Sequence, residues 1–281
     1  MGHLDHFSYG LLTPVVSYLM ACTGAAIGLR CTVRALGASG RSRRNWLLMG
    51  AAAIGAGIWT MHFIAMLGFA VDGSSIRYDV PLTLLSLVVA ITVVGAGIFT
   101  VAYGHATARS LTIGGIGMGL GVATMHYTGM AAVRVNGTIG YDVLLVVASV
   151  AIAVAAATAA LWIVIQVQRF SGAMIAALVM GVAVSSMHYT AMAALHVQLD
   201  PGQSTLSGAT AGEFIFPLSL GLTSLLFIAS VFIAVSPLEE DQFESESAAK
   251  RRAIEEPAEW SWTGTQDREP TVESSRSVRG R

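Results

Sequence analysis

Met61-His62-Phe63-Ile64-Ala65-Met66, Met125-His126-Tyr127-Thr128-Gly129-Met130 and Met187-His188-Tyr189-Thr190-Ala191-Met192 are one pattern written three times in a single chain. Each copy sets an imidazole between two thioethers in a very apolar segment, where ionisable side chains are costly. The copies start at 61, 125 and 187, a recurrence of 64 and then 62 residues. That period accommodates two membrane-spanning helices of about 20 residues each with their loops. The pattern predicts an all-α integral membrane bundle built from a repeated helix pair.

Composition agrees. Hydrophobic residues make up 54% of the 281 positions and charged residues 12%, with a mean hydropathy of +0.66. A soluble globular domain carries about twice that charge. The net charge of -1 hides an uneven distribution. Residues 238–281 hold 11 acids and 7 bases, 18 of the chain's 33 charges, and the only lysine. This divides the chain into a membrane domain, 1–237, and a polar, largely disordered tail, 238–281. No strongly basic face is present, which argues against nucleic acid as a partner. Cys22 and Cys31 form no CxxC pair and read as packed thiols. The N-terminus lacks a basic n-region, so the first apolar stretch reads as a retained helix rather than a cleaved signal.

Apolar stretches at 11–29, 46–70, 81–103, 111–133, 143–166, 173–196 and 214–235 predict seven transmembrane helices. Pro14, Pro81 and Pro217 stand near the starts of spans one, three and seven, where proline is tolerated, and Pro237 follows the last. Arg30, Arg34, Arg41, Arg43, Arg44, Arg109 and Arg169 fall on one side; the opposite loops hold only Arg77 and Arg134. The positive-inside rule places the seven-arginine side in the cytoplasm, with the N-terminus outside and the C-terminus inside. Spans two, four and six then run outward, each ending in one copy of the pattern. On these span limits His62 lies about eight residues, roughly 12 Å, below the outer loop.

Successive helical residues are about 100° apart, so each His and the Met four places on share a face. The preceding Met flanks them. Met61, His62, Met66, Met125, His126, Met130, Met187, His188 and Met192 thus form the candidate metal-ligand set. Imidazole beside thioether suits Cu(I) best, and imidazole also accepts Cu(II). Thr60, Thr124 and Ser186 precede the Met-His pairs, and Tyr127 and Tyr189 follow two of the imidazoles. These hydroxyls either orient the rings or bond back to their own helix. Gly55, Gly119 and Gly181 stand six residues before each first Met, small enough to let the motif helices converge. Nine donors exceed one four-coordinate ion, so either some copies are structural or more than one ion binds.

At these residues the chain resembles the MHYT family of bacterial integral-membrane sensor domains. Residues 125–128 and 187–190 match the tetrapeptide letter for letter, while Met61-His62-Phe63-Ile64 keeps the first two letters only. The resemblance covers about residues 1–237. It implies a multi-pass protein of the bacterial cytoplasmic (inner) membrane, with a copper site near the outer face that senses a diatomic gas such as oxygen, CO or NO. MHYT domains are often fused to cyclic-di-GMP enzymes or other output modules. The 44-residue tail is too short and polar to fold such a module, so the expected output is a cytoplasmic signalling partner.

Two other functions compete with a sensor. Copper transport would need ligands staged across the bilayer, whereas these share one depth. Haem ligation would use the histidines and leave the methionines unexplained. No Gly-rich phosphate loop, nucleophile elbow or intramembrane carboxylate pair is present, so the chain reads as a non-enzyme. His3 and His6 read as an incidental exposed pair, His196 as a solvated interfacial residue, and His105 stands on the opposite side.

Overall fold

The structure, a computed structural model, describes residues 4–5, 8–104, 107–166, 170–200 and 206–235. His3, His6, His105, Arg169 and the 238–281 tail lie outside the described residues. The chain separates into two units, Met1–Pro237 and Leu238–Arg281, and every described element belongs to the first.

Seven long helices carry the fold: α1 (Leu12–Gly37), α2 (Gly40–Leu67), α3 (Val80–Tyr103), α4 (Ala108–Ala131), α5 (Val143–Gln166), α6 (Phe170–Ala193) and α7 (Phe216–Val235). Six of the helical segments are long and apolar enough to cross a membrane. α4 is the exception, because Gly114, Gly115, Gly117, Gly119, Gly121 and Gly129 take the places of larger apolar side chains. Neighbouring contacts run α1–α2–α3–α4–α5–α6 and back to α1, a closed ring of six helices, with α7 packed outside against α1 and α2.

Six short strands at one end were not anticipated from the sequence: β1 (Leu4–Asp5), β2 (Ala70–Val71), β3 (Arg77–Tyr78), β4 (Val133–Arg134), β5 (Gly137–Tyr141) and β6 (Leu195–Leu199). They pair antiparallel as β1 with β2, β3 with β4 and β5 with β6. Each ribbon joins the strand before a helix pair to the strand after it, so α1–α2, α3–α4 and α5–α6 are three closed units. One backbone bond repeats in all three. Ser8 N–H donates to Gly68 O (3.0 Å), Asp79 N–H to Ala132 O (2.8 Å) and Asp142 N–H to Ala194 O (2.8 Å). The three acceptors stand six residues after His62, His126 and His188. Asp79 and Asp142 also cap α3 and α5, their carboxylates accepting from Leu82 N–H and Leu145 N–H.

The ribbons shorten the motif helices relative to the hydropathy limits. α2, α4 and α6 end at Leu67, Ala131 and Ala193, each five residues beyond its histidine. The imidazoles therefore sit about 7–8 Å below the helix ends rather than 12 Å. At the opposite end α1 continues through Arg30 and Arg34, leaving only Ala38 and Ser39 to connect it to α2. Arginines read from the sequence as loop charges are thus helical. Arg34 Nη2 donates to Ile233 O at the end of α7 (2.9 Å), and its guanidinium covers Trp46. Arg43 donates to Ala102 O near the end of α3 and covers Tyr103. Cationic donors satisfy carbonyls in helix last turns, which lack intrahelical partners.

Candidate metal centre

The three motif helices bring His62, His126 and His188 to one point inside the ring, each 0–1% exposed. His62 Nδ1 lies 3.0 Å from His188 Nδ1 and 3.2 Å from His126 Nδ1. The rings meet edge to face, with centroids 4.8, 5.0 and 5.2 Å apart. One ligand atom from each lies within 4.8 Å of the others, and among the described residues no carboxylate or thiol joins them.

Hydrogen bonding alone does not complete this cluster. A neutral imidazole nitrogen has either one proton or one in-plane lone pair. His62 Nδ1 faces two others, so only one of those contacts can be a full hydrogen bond. His62 Nε2 and His126 Nε2 are buried without a hydrogen-bond partner. A cation shared by three Nδ1 lone pairs satisfies all three at once. Nitrogens about 2.0 Å from a common ion stand roughly 3.3–3.5 Å apart, so the His62–His188 and His62–His126 separations need only a small expansion. The donor set fits a metal ion.

The six motif methionines are all buried, at 0–3% exposure, but they do not share one surroundings. Met130 forms part of an outward cleft of about 580 Å³ at the ribbon end, together with Tyr127, Arg134 and Tyr141. Met187 borders a small apolar cavity of about 30 Å³ on the other side of the histidines. That cavity is lined by Ile58 and Ile54, Val122 and Met118, and Val184 and Met180. These are the residues four and eight before each histidine, on the same helix face. α5 alanines close the fourth side. The sequence shows this spacing in all three helices.

The glycines act differently from the expectation. A Cβ at Gly55 would meet Ile91 of α3 at 2.7 Å; one at Gly119 would strike Val154 of α5, and one at Gly181 Cys22 of α1. They seat the motif helices against the ring neighbours, not against each other. Gly129 is the residue that admits a ring: a Cβ there would stand 2.7 Å from His62 Nε2.

The hydroxyls divide. Thr124 and Ser186 donate to Leu120 O (2.9 Å) and Val182 O (2.8 Å) of their own helices, on exposed surface. Thr60 is buried without a hydrogen-bond partner. The motif aromatics instead meet serines missed in the sequence. Tyr127 and Ser149 share a hydrogen bond of 2.8 Å, and Ser17, whose hydroxyl donates to Pro14 O at 2.9 Å, lies near Tyr189. Phe63 lacks a hydroxyl, and Trp59 Nε1 supplies the matching bond to Ser86 Oγ at 2.9 Å. Ser86 and Ser149 each stand seven residues after the capping Asp79 or Asp142. All three serines are fully buried. His196 lies over Gly140 of the β5–β6 ribbon, away from the cluster. Cys22 and Cys31 are free and buried.

Three helix pairs around a central trio of histidines define a repeat-built multi-pass membrane domain. The chain matches the MHYT family, described as a bacterial signalling protein N-terminal repeat, at residues 55–114, 119–177 and 181–236. It belongs to that family. It is 40% identical over 197 residues to the bifunctional diguanylate cyclase/cyclic di-GMP phosphodiesterase MucR of Pseudomonas aeruginosa, covering 68% of this chain and 29% of the relative. It is 32% identical over 252 residues to the cyclic di-GMP phosphodiesterase NbdA of the same organism, covering 87% and 32%. With the signaling protein YkoW of Bacillus subtilis it shares 28% identity over 251 residues, covering 86% and 30%. The chain therefore spans about a third of the length of the curated relatives it matches. No solved structure gives a significant match.

Proposed function

We propose that this domain is a membrane sensor that holds copper at His62, His126 and His188 and signals through the packing of its motif helices. The convergence of three Nδ1 atoms at 3.0 and 3.2 Å carries this reading. All seven helices cross the bilayer, α4 included, since both of its ring neighbours, α3 and α5, are apolar enough to span. The ribbon end faces outward and the arginine end the cytoplasm, by the positive-inside rule, in the bacterial inner membrane.

Copper bound here supplies one-electron redox chemistry and an affinity for small gases such as oxygen, CO and NO. The chain's own residues do the rest. Gly129 leaves space for the His62 ring, Ser149 fixes Tyr127 beside His126, and the apolar cavity keeps water from one side of the cluster. Signalling requires two packings of α2, α4 and α6 that differ in affinity for the ligand. The names of the relatives point to cyclic di-GMP turnover as the output, performed by a partner or by further domains, with no enzymatic role for the helices themselves.

Haem is the weaker ligand for this geometry. Its iron takes axial ligands on opposite faces of a macrocycle, whereas these nitrogens meet at a single point. Staged transport is also less suited, because the three imidazoles lie together at one end. In the purified protein, replacing all three histidines with alanine should abolish copper by elemental analysis. Wild-type copper content in that variant removes the site.

A further inference from the structure

A cluster buried to this degree needs a route for its ion, and two cavities approach it. The cavity of about 30 Å³ toward the bundle interior is lined by aliphatic side chains and thioethers, with no charged or hydroxyl group. A cation has no place to shed its water there. The cleft of about 580 Å³ at the ribbon end is different. It is open to solvent, and Ser207, Arg134 and the two tyrosines give it polar walls. Arg134 does not make it cationic, because its Nη2 pairs with Asp79 Oδ2 at 3.0 Å.

The cleft also reaches the second motif. Tyr127, next to His126, and Met130, one turn beyond it, both border the cleft. Met130 is 1% exposed and shares a helix face with His126. Met130 thus borders the cleft from the helix face that carries His126. Thioether sulfur is a soft, exchangeable donor that accepts Cu(I) and passes it to nitrogen without a proton change.

We infer that this ribbon-end cleft is the entry site for a soft monovalent cation, and that Met130 is its transfer ligand to the histidine cluster. The inference rests on the copper reading of that cluster. No covalent bond or redox change is involved: Cu(I) exchanges solvent ligands for the Met130 sulfur, then the sulfur for ring nitrogen.

Loading kinetics test it, using purified full-length protein and buffered Cu(I) mixed by stopped flow, with final metal content measured separately. Ser207→Trp and Ile139→Trp fill the cleft from two walls and are expected to slow loading at least tenfold while reaching wild-type copper content. Ala156→Leu, which fills the apolar cavity instead, should load at the wild-type rate. Met130→Leu, close in volume, should load slowly because the sulfur is gone. Wild-type loading rates in both tryptophan variants overturn the route, and a wild-type rate in Met130→Leu overturns the transfer role. Absence of Cu(I) uptake by the wild-type protein overturns the copper reading and this route with it.

Discussion

At residue 129 a single methyl group decides where an imidazole can sit. The same motif position holds Ala65 and Ala191 in the other copies. Only at Gly129 would a Cβ stand 2.7 Å from a cluster nitrogen, closer than side chains pack without shifting. Gly129→Ala should tilt the His62 ring and weaken copper binding about tenfold, roughly 1.4 kcal/mol, measured by competition against a Cu(I) chelator. Gly117→Ala on the same helix meets nothing within 4 Å and should leave affinity unchanged. Equal affinity in both variants would show that His62 adjusts freely. The sequence marked 129 as small, but nothing in it says what a missing side chain faces. The histidines themselves were legible, because three copies 64 and 62 residues apart at one depth are improbable as packing. Their methionines were read as a single ligand set from helix phase alone, and phase does not reveal that Met130 and Met187 border different cavities. Ser17, Ser86 and Ser149 were invisible because hydroxyls are common in apolar helices and their aromatic partners lie on other helices.

The helices were legible as elements because 20-residue apolar runs have few alternatives. The ribbons were not. Two-residue strands such as Arg77–Tyr78 carry no alternation to detect, and they exist through pairing with a strand more than 50 residues away. Their anchoring has a charge component. The Asp79 carboxylate is held below its ordinary range by the Leu82 backbone N–H first and by Arg134 second. A carboxylate shifted down stabilises the fold above its unfolded value, about 3.9, and that contribution is lost as pH falls through the lower folded value. Asp79→Asn keeps a capping side chain and removes the charge. Thermal unfolding in low salt should show wild type ahead of the variant near neutral pH, with the gap closing as pH falls below the unfolded carboxylate value. The ion pair is partly exposed, so the gap should be small and shrink with salt. A gap independent of pH would assign the difference to something other than the carboxylate's charge.

Across the whole molecule, pseudo-threefold repetition explains the ring and leaves α7 as the helix without a counterpart. The repeat period read from the motifs foretold three similar units; it held no information on how a seventh helix would dock. α7 packs on α1 and α2, and its last turns lie at the arginine end. α2 carries His62 near one end and Trp46 near the other, where Arg34 covers Trp46 and bonds Ile233 O of α7 at 2.9 Å. One helix therefore joins the histidine cluster to α7, a physical connection of the kind coupling needs. Arg34→Gln keeps a hydrogen-bond donor but loses the cation above the indole, and Arg34→Ala loses both. Both should speed amide hydrogen exchange in the last turns of α7, Ala more than Gln, while copper content stays at the wild-type level. If Arg34 links the two ends, copper should also protect those amides in wild type and fail to do so in Arg34→Ala. Protection that persists in the alanine variant would mean that the change reaches α7 along its packing with α1 and α2, without the arginine.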